Sequence, residues 1–372
     1  MFTRLLFGIA KPILSAYYGM RWKIRYATKI FGIEKLEEKT NEAWIYDRDR
    51  FLAFATTRLK HSWPFSTDTN GVSHEHMKAI VTKNYHTIEK AMALPSPRPS
   101  FGQQSGIIDK CIDDCESYIR LFGNDSLTET TYDVLREYRD RFGKGYERVE
   151  RFLREHDELH DDTCTGGTVP FTPSDIPSGI DERFFATRHS IRQFGENPVT
   201  DETIRSAVRH ALLGTPSVCN RQPAKAYVFT DPTEKSQLLA LQNGNKGFGH
   251  DASHLIIVTS DLRSFVDIGE RNQCWVSGGM FAMSLVYALH AQRIATCCLN
   301  WDVLPENDKA LHSLANIPPS EVIVMMIAVG SYPEHLTVAR SERKNVDDIV
   351  RIDGYTLSLH DALPIFGRAS CR

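Results

Sequence analysis

Arg188-His189-Ser190-Ile191-Arg192 packs two guanidiniums and a hydroxyl into five residues just ahead of a helical stretch. Such a run suits a phosphate, because arginine offers planar paired donors and serine adds a short one. A charged surface turn has the same composition, so the run gains meaning only in company. Three further segments supply it: Pro216-Ser217-Val218-Cys219-Asn220-Arg221-Gln222-Pro223, Asn243-Gly244-Asn245-Lys246-Gly247 and Arg340-Ser341-Glu342-Arg343-Lys344. Each joins amide or basic donors to loop-forming residues. A planar, polar-edged ring with a phosphate tail needs that set, amides for the ring edge and guanidiniums for the tail. Taken singly, Arg188 and Arg192 read as surface charges, Asn220 and Asn245 as turn residues, and Cys297 and Cys298 as packing.

Other reactive residue types carry less. The eight cysteines show no C-x-x-C spacing. Cys111 and Cys115 share a helical face with no second ligand pair in register, which favours core packing over a metal. Adjacent Cys297 and Cys298 strain a disulfide, so reduced thiols and a cytoplasmic protein are expected. His86 and Glu89 lie three apart on one helical face; a structural hydrogen bond is expected there rather than an acid/base or metal pair. No metal site is expected.

The elements that must hold these residues follow from periodicity. Between Glu75 and Glu158, Tyr132, Leu135, Tyr138, Phe142, Tyr146, Val149 and Phe152 recur every three or four residues. That spacing predicts one long or twice-broken amphipathic helix, with Gly143 and Gly145 at a break. Asp161 to Gly179 collects Thr, Gly, Pro and Ser and reads as a linker. The expected organisation is a helical region with linker over 1–175 and a second domain over 176–353.

In the second domain, Glu202–Leu213 reads as a helix, Ala226–Thr230 and Leu255–Thr259 as short strands, Val276–Gln292 as a long apolar helix and Val322–Val329 as a buried strand. The expected order is helix, strand, helix, strand, helix, helix, strand. That makes an α+β domain with three layers around a central mixed or antiparallel sheet. The helix from Val276 is apolar nearly all round, which suits a domain centre or a dimer seam.

A net charge of -3 over 372 residues gives no global electrostatic reason for a nucleic-acid partner. Residues 1–33 carry six basic residues and no acid among apolar ones, a pattern that fits weak contact with an anionic membrane face, or equally a docked first helix. No run of 18 apolar residues exists, so no spanning helix is expected.

The four segments, in this order and spacing, resemble the nitroreductase family of FMN enzymes. The matching signatures are Arg-x-Ser-x-Arg at Arg188–Arg192 and Pro-Ser-x-x-Asn-x-Gln-Pro at Pro216–Pro223, and the resemblance covers roughly Asp181 to Ile352. The usual aromatic after the second signature is Ala224 here. The first half resembles members associated with bacterial surface-polysaccharide loci, through His86–Lys90 and Phe101-Gly102.

The resemblance implies a nitroreductase-like fold, bound FMN, NADH or NADPH as co-substrate, a homodimer and a small-molecule acceptor. It implies that Arg188, Ser190 and Arg192 hold the FMN phosphate and the pyrimidine side of the ring, with His189 acting through its backbone. Ser217 and Asn220 would reach the flavin of the partner subunit, and Asn245 would read the pyrimidine edge. The Thr296–Trp301 loop, through Leu299 and Asn300, would aim a backbone N–H at flavin N5, and Arg343 with Ser341 would close the phosphate site. Reduction puts negative charge near N1 and O2, which a fixed Arg192 stabilises. Hydride transfer needs no protein acid or base, so no catalytic side chain is assigned.

Asn300 stands where one branch of the family has Glu, and Lys246 and Phe248 also depart from that branch, so substrate choice does not transfer. Two other readings compete: a flavin-fold binding or regulatory protein without turnover, and an FMN-dependent dehydrogenase of a dedicated biosynthetic intermediate. Residues from Gly354 onward, with the string Leu357–Ile365, resemble translated sequencing-adapter read-through and receive no function.

Overall fold

In the computed structural model, residues 33–55, 73–94, 102, 105–160, 163, 165–173, 179–341, 343–350 and 352 are described. The basic N-terminal stretch, apart from residue 33, and the suspect tail from 354 lie outside them. Residues up to Leu336 form one compact unit and those from Thr337 a second.

The helical region has its own core. Helix α1 (Ile33–Ala55) comes first, and α2 (His74–Met92), α3 (Ile107–Phe122), α4 (Ser126–Tyr138) and α5 (Glu147–Glu155) replace the single long or twice-broken helix expected over 75–158. The breaks have local causes. Gly123 closes α3 at φ 83°, and two residues on, Asp125 opens α4 by accepting from the Leu127 and Thr128 N–H groups while Thr128 reciprocates. A five-residue π-turn, Arg139–Gly143, and Gly145 at φ 87° then separate α4 from α5, where the glycines predicted a break. Cys111 and Cys115 are fully buried in this core beside Tyr118, Leu135 and Phe152, as packing predicts.

The stretch with linker composition is held down where it is described. Three carboxylates of α2 and α4 accept its backbone N–H groups: Asp133 from Thr165 at 2.8 Å, Glu89 from Gly167 at 3.0 Å and Glu137 from Thr168 at 2.6 Å. A Cβ on Gly166 would come within 2.3 Å of the Thr130 carbonyl, so the close approach requires glycine there.

The sheet region comprises α6 (Glu182–Ala186), α7 (Asp201–Gly214), β1 (Ala224–Phe229), α8 (Pro232–Ala240), β2 (His254–Asp261), α9 (Gln273–Ala291), β3 (Ile294–Asn300), α10 (Pro305–Leu314) and β4 (Glu321–Ser331). Among the described residues the sheet has four strands in the order β1-β2-β4-β3 and every pairing is antiparallel, which decides for the antiparallel alternative. One addition corrects the expected order: the run read as a loop at Thr296–Trp301 belongs, up to Asn300, to strand β3. Its Ile294 to Asn300 pair with Ser331 to Met325 of β4, and Ala295, Cys297 and Leu299 are buried on alternate positions. Consecutive cysteines hid that period-2 pattern.

Strands β2 and β4 are covered on both faces, which explains their nearly unbroken apolar runs. One face packs Leu255, Ile257, Met326 and Ala328 against Leu238 of α8 and Leu311 of α10. The other packs Ile256, Val258, Ile327 and Val329 against Ala207 of α7 and Phe281, Leu285 and Leu289 of α9. The domain is therefore three-layered and α+β, with a helical region before it. Among the described residues, α9 alone is long and apolar enough to cross a membrane; its burial against the sheet accounts for that composition.

Candidate functional site

The Arg188–Arg192 segment lies along the β3 edge of the sheet. Ile191 donates its N–H to the Thr296 carbonyl at 2.8 Å and buries its side chain, and Gly195 donates to Ser331 at 2.9 Å. The segment is thus pinned across the ends of β3 and β4. Arg192 is exposed; its Nη1 donates to the Ser190 carbonyl at 3.4 Å and its guanidinium stands 5.8 Å from the centre of the Phe248 ring. Among the described residues, neither Arg188 nor Arg192 forms an ion pair with a carboxylate. Burial pushes the Cys297 and Cys298 thiols up, and Arg188 pulls both back, which places its charge beside β3. Burial, with Arg188 and His189 nearby, lowers the His290 pKa, although the Phe184 carbonyl bound at 3.1 Å opposes this.

Phase along β3 decides which backbone groups this edge presents. Thr296 gives its carbonyl to Ile191, and Asn300 gives its carbonyl to Gln242 Nε2 at 3.0 Å, so both turn away from β4. With a continuous register, Cys298 shares their phase, and the outward N–H groups are those of Thr296, Cys298 and Asn300. Leu299 is one residue out of phase: its backbone faces β4 and its side chain is buried. The N–H expected of Leu299 at this edge is therefore Cys298's or Asn300's.

Gln242, which the sequence reading passed over, ties the third segment to the same edge. It is buried, donates through Nε2 to the carbonyl and side-chain oxygen of Asn300, and accepts through Oε1 from the Gly244 N–H at 2.6 Å and from Asn245 Nδ2 at 3.0 Å. Asn245 Nδ2 also donates to the Leu239 and Gln242 carbonyls, both at 2.8 Å. The Asn245 donors are thus spent on closing the turn after α8, leaving its carbonyl oxygen for any ligand. A glutamine just before Asn-Gly at a helix end was the available signal.

The Pro216–Pro223 segment is at the other edge. Cys219, Asn220 and Gln222 have φ of 48°, 53° and 48°, a left-handed sequence unusual for side-chain-bearing residues. Ser217 Oγ accepts from the Gln222 N–H at 2.9 Å and closes this turn. Arg221 anchors it, donating to the Val218 carbonyl at 3.1 Å, the Ser264 carbonyl at 2.7 Å and both oxygens of Glu270 at 2.6 and 3.1 Å. Burial raises the Glu270 pKa, but the Arg221 hydrogen bonds and the Val266 N–H outweigh it and hold the carboxyl below its ordinary value. The turn leads into β1, while Arg188–Arg192 follows β3. These are the outer strands of the sheet, three strand spacings or about 14 Å apart. Within one chain, Ser217 and Asn220 do not converge with Arg188 and Arg192.

Ser341 and Arg343 belong to the unit from Thr337, where both are exposed and Arg343 Nη1 donates to the Ser341 carbonyl at 2.6 Å. His86 Nδ1 meets Glu89 Oε2 at 2.9 Å, and the other Glu89 oxygen holds the Gly167 N–H, the structural role expected of that pair.

Among solved structures, similarity extends to a nitroreductase family protein from Streptococcus pneumoniae TIGR4 (21% identity, TM-score 0.40, covering 46% of this chain and 98% of that one). It extends also to B. megaterium NfrA2 (18%, TM-score 0.42, covering 47% and 74%). A third is an FMN-dependent nitroreductase from Clostridium difficile R20291 (18%, TM-score 0.37, covering 46% and 98%). Curated proteins give no match. The family model described as the Nitroreductase family matches residues 185–242 and 233–331 of this chain.

Proposed function

We propose that the chain is an FMN-dependent oxidoreductase that passes reducing equivalents from NADH or NADPH to a small organic acceptor, of the nitro or quinone type or an intermediate of surface-polysaccharide assembly. The observation that carries this reading is the β3 edge, where Arg188 and Arg192 lack carboxylate partners among the described residues and lie beside the outward N–H groups of Cys298 and Asn300. An anionic tail and a polar-edged ring fit that donor set. FMN, when bound, supplies two-electron transfer as hydride, which no side chain of this protein can perform. Arg188 and Ser190 hold the phosphate, and Arg192 sets a fixed positive charge against the ring edge where negative charge accumulates on reduction. Burial raises the Cys297 pKa, which disfavours its thiolate.

The separation of the two sheet edges favours a homodimer in which Ser217 and Asn220 serve the partner's flavin. Apolar surface for such an interface is present: Leu213 of α7 is 81% exposed, and Trp275 and Val276 of α9 are 44% and 49% exposed. The test is the spectrum of the purified protein with identification of the released flavin. FMN, bleached by NADH or NADPH and reoxidised by nitroaromatic or quinone acceptors, is the expected result. Bound FAD, or no flavin after reconstitution, overturns the cofactor assignment. Light scattering that finds a monomer with full flavin occupancy overturns the shared site.

A further inference from the structure

A cavity of about 270 Å³ lies where the helical region meets the Asn220–Gln222 turn. Glu75, Lys78, Thr82 and Tyr85 of α2 form one wall, and Asn220 and Gln222 another. Its size is at the small end of ligand sites, enough for a metabolite of several heavy atoms and too small for a dinucleotide. The lining is preorganised. Asp125, which also lines the cavity, has one oxygen spent on capping α4 and the other accepting from Tyr118 Oη at 2.6 Å. Arg221 is locked on Glu270. The left-handed residues Cys219, Asn220 and Gln222 fix the turn that forms the second wall.

With those charges spent, the groups left to act are few and complementary. Lys78 has no hydrogen-bond or ion-pair partner among the described residues, and the nearest charged contact of Glu75 is His74 at 3.9 Å. The two lie three apart on α2, the spacing at which helix side chains are neighbours, yet they form no ion pair with each other. Both reach the same cavity, one as a cation and one as an anion, flanked by the hydroxyls of Thr82 and Tyr85 and the amides of Asn220 and Gln222. A simple anion would meet Glu75 and Asp125, and a simple cation would meet Lys78. A molecule carrying both charges satisfies both poles.

We propose that this cavity is a binding site for a small zwitterion of the amino-acid type, with Lys78 holding its carboxylate, Glu75 its ammonium, and Asn220 and Gln222 its polar substituent. The site uses the helical region together with the turn, and it shares Asn220 with the contact proposed to the partner's flavin, so its charged poles on α2 are what the test must address. Neither Lys78 nor Glu75 has a part in the flavin reading.

The experiment is calorimetric and NMR titration of the full chain with L-serine, L-glutamine and L-lysine, using acetate and methylammonium as single-charge controls. Saturable binding of at least one amino acid is expected, with the controls at least about tenfold weaker. Lys78→Met and Glu75→Gln should each weaken that binding by about tenfold or more while the melting temperature stays within two degrees or so of the parent. The double variant should abolish it. Absence of saturable binding by all three amino acids overturns the proposal. So does equal binding of acetate or methylammonium, or binding that survives both substitutions. Flavin content, read from the same samples by absorbance, separates failure of this site from failure of the cofactor assignment.

Discussion

The two outer strands of the sheet treat their arginines in opposite ways. At the β1 edge, Arg221 is fully buried and its guanidinium is divided among two carbonyls and the Glu270 carboxylate. At the β3 edge, Arg188 and Arg192 sit beside a strand with outward N–H groups and meet no carboxylate among the described residues. One edge uses its charge to hold a strained turn in shape, and on the function proposed above the other keeps its charge for a ligand. On that proposal the same residue type is structural in the first setting and functional in the second, and the surroundings make the difference.

The largest expected effect breaks the structural side. Arg221→Ala leaves the half-buried Glu270 without its partner and frees the Val218 and Ser264 carbonyls, which together should cost about 2 to 4 kcal/mol in urea or thermal unfolding. The Val218–Asn220 turn should loosen at the same time. An unfolding midpoint unchanged by Arg221→Ala would erase the contrast between the edges.

Arg188→Ala is the matching change on the other side. It should leave unfolding within about 0.5 kcal/mol of the parent, since no described contact depends on that guanidinium. FMN affinity should fall by about 1.5 to 3 kcal/mol, the worth of a charge-assisted hydrogen bond, in a fluorescence titration of apoprotein. A variant that loses stability and keeps its affinity would reverse the assignment of the two edges.

A third prediction concerns acid. Asp308 accepts from Trp301 Nε1 at 2.7 Å and Arg50 Nη1 at 2.9 Å, so it ties α1 to the residue that follows β3. Burial raises its pKa, but His312, Trp301 and Arg50 together bring it to about 2. A carboxyl lowered in the folded state stabilises above its unfolded pKa of about 3.9 and loses that contribution as pH falls through the folded value. Roughly 2 kcal/mol should therefore disappear between about pH 4 and pH 2, and Asp308→Asn should flatten that part of the stability profile. A parent and variant with parallel profiles over that range would remove Asp308 from the account.

How far the sequence could be read follows the same division. The helices and strands with clean periodicity, α7, β1, β2, α9 and β4, lie within a few residues of where apolar spacing puts them. Strand β3 escaped because Cys297 and Cys298 carry no strong strand signal, and only pairing with β4 makes them one. The long or twice-broken helix expected over 75–158 became four because glycine at left-handed φ, at Gly123 as well as Gly145, outweighs a continuous charge pattern. The donors of the β3 edge were legible as residue types. Their phase was not: which of Cys298, Leu299 and Asn300 points outward depends on which face of β3 meets β4. Gln242 was invisible for a related reason, since its importance lies in the Asn300 contact 58 residues away.

The smallest expected effect divides the β3 edge itself. Arg192 is exposed and leans over Phe248, so its charge is screened by water, and replacing it should disturb oxidised-cofactor binding less than the Arg188 change does. Its charge matters more once the ring edge has gained negative charge, because the attraction then has a full counter-charge. Arg192→Ala should accordingly lower the reduction potential of bound FMN by up to about 30 mV, the equivalent of roughly 1.4 kcal/mol for a two-electron couple. Arg192→Lys keeps the charge without the planar donors and should recover most of that shift, whereas Arg188→Lys should recover little affinity if paired donors on the phosphate are what Arg188 supplies. The measurement is an equilibrium redox titration of each reconstituted variant against a dye of known potential. If both alanine variants lose oxidised-FMN affinity equally and leave the potential of the remaining complex unchanged, the two arginines act as one undivided phosphate clamp, and the electrostatic role assigned to Arg192 is wrong.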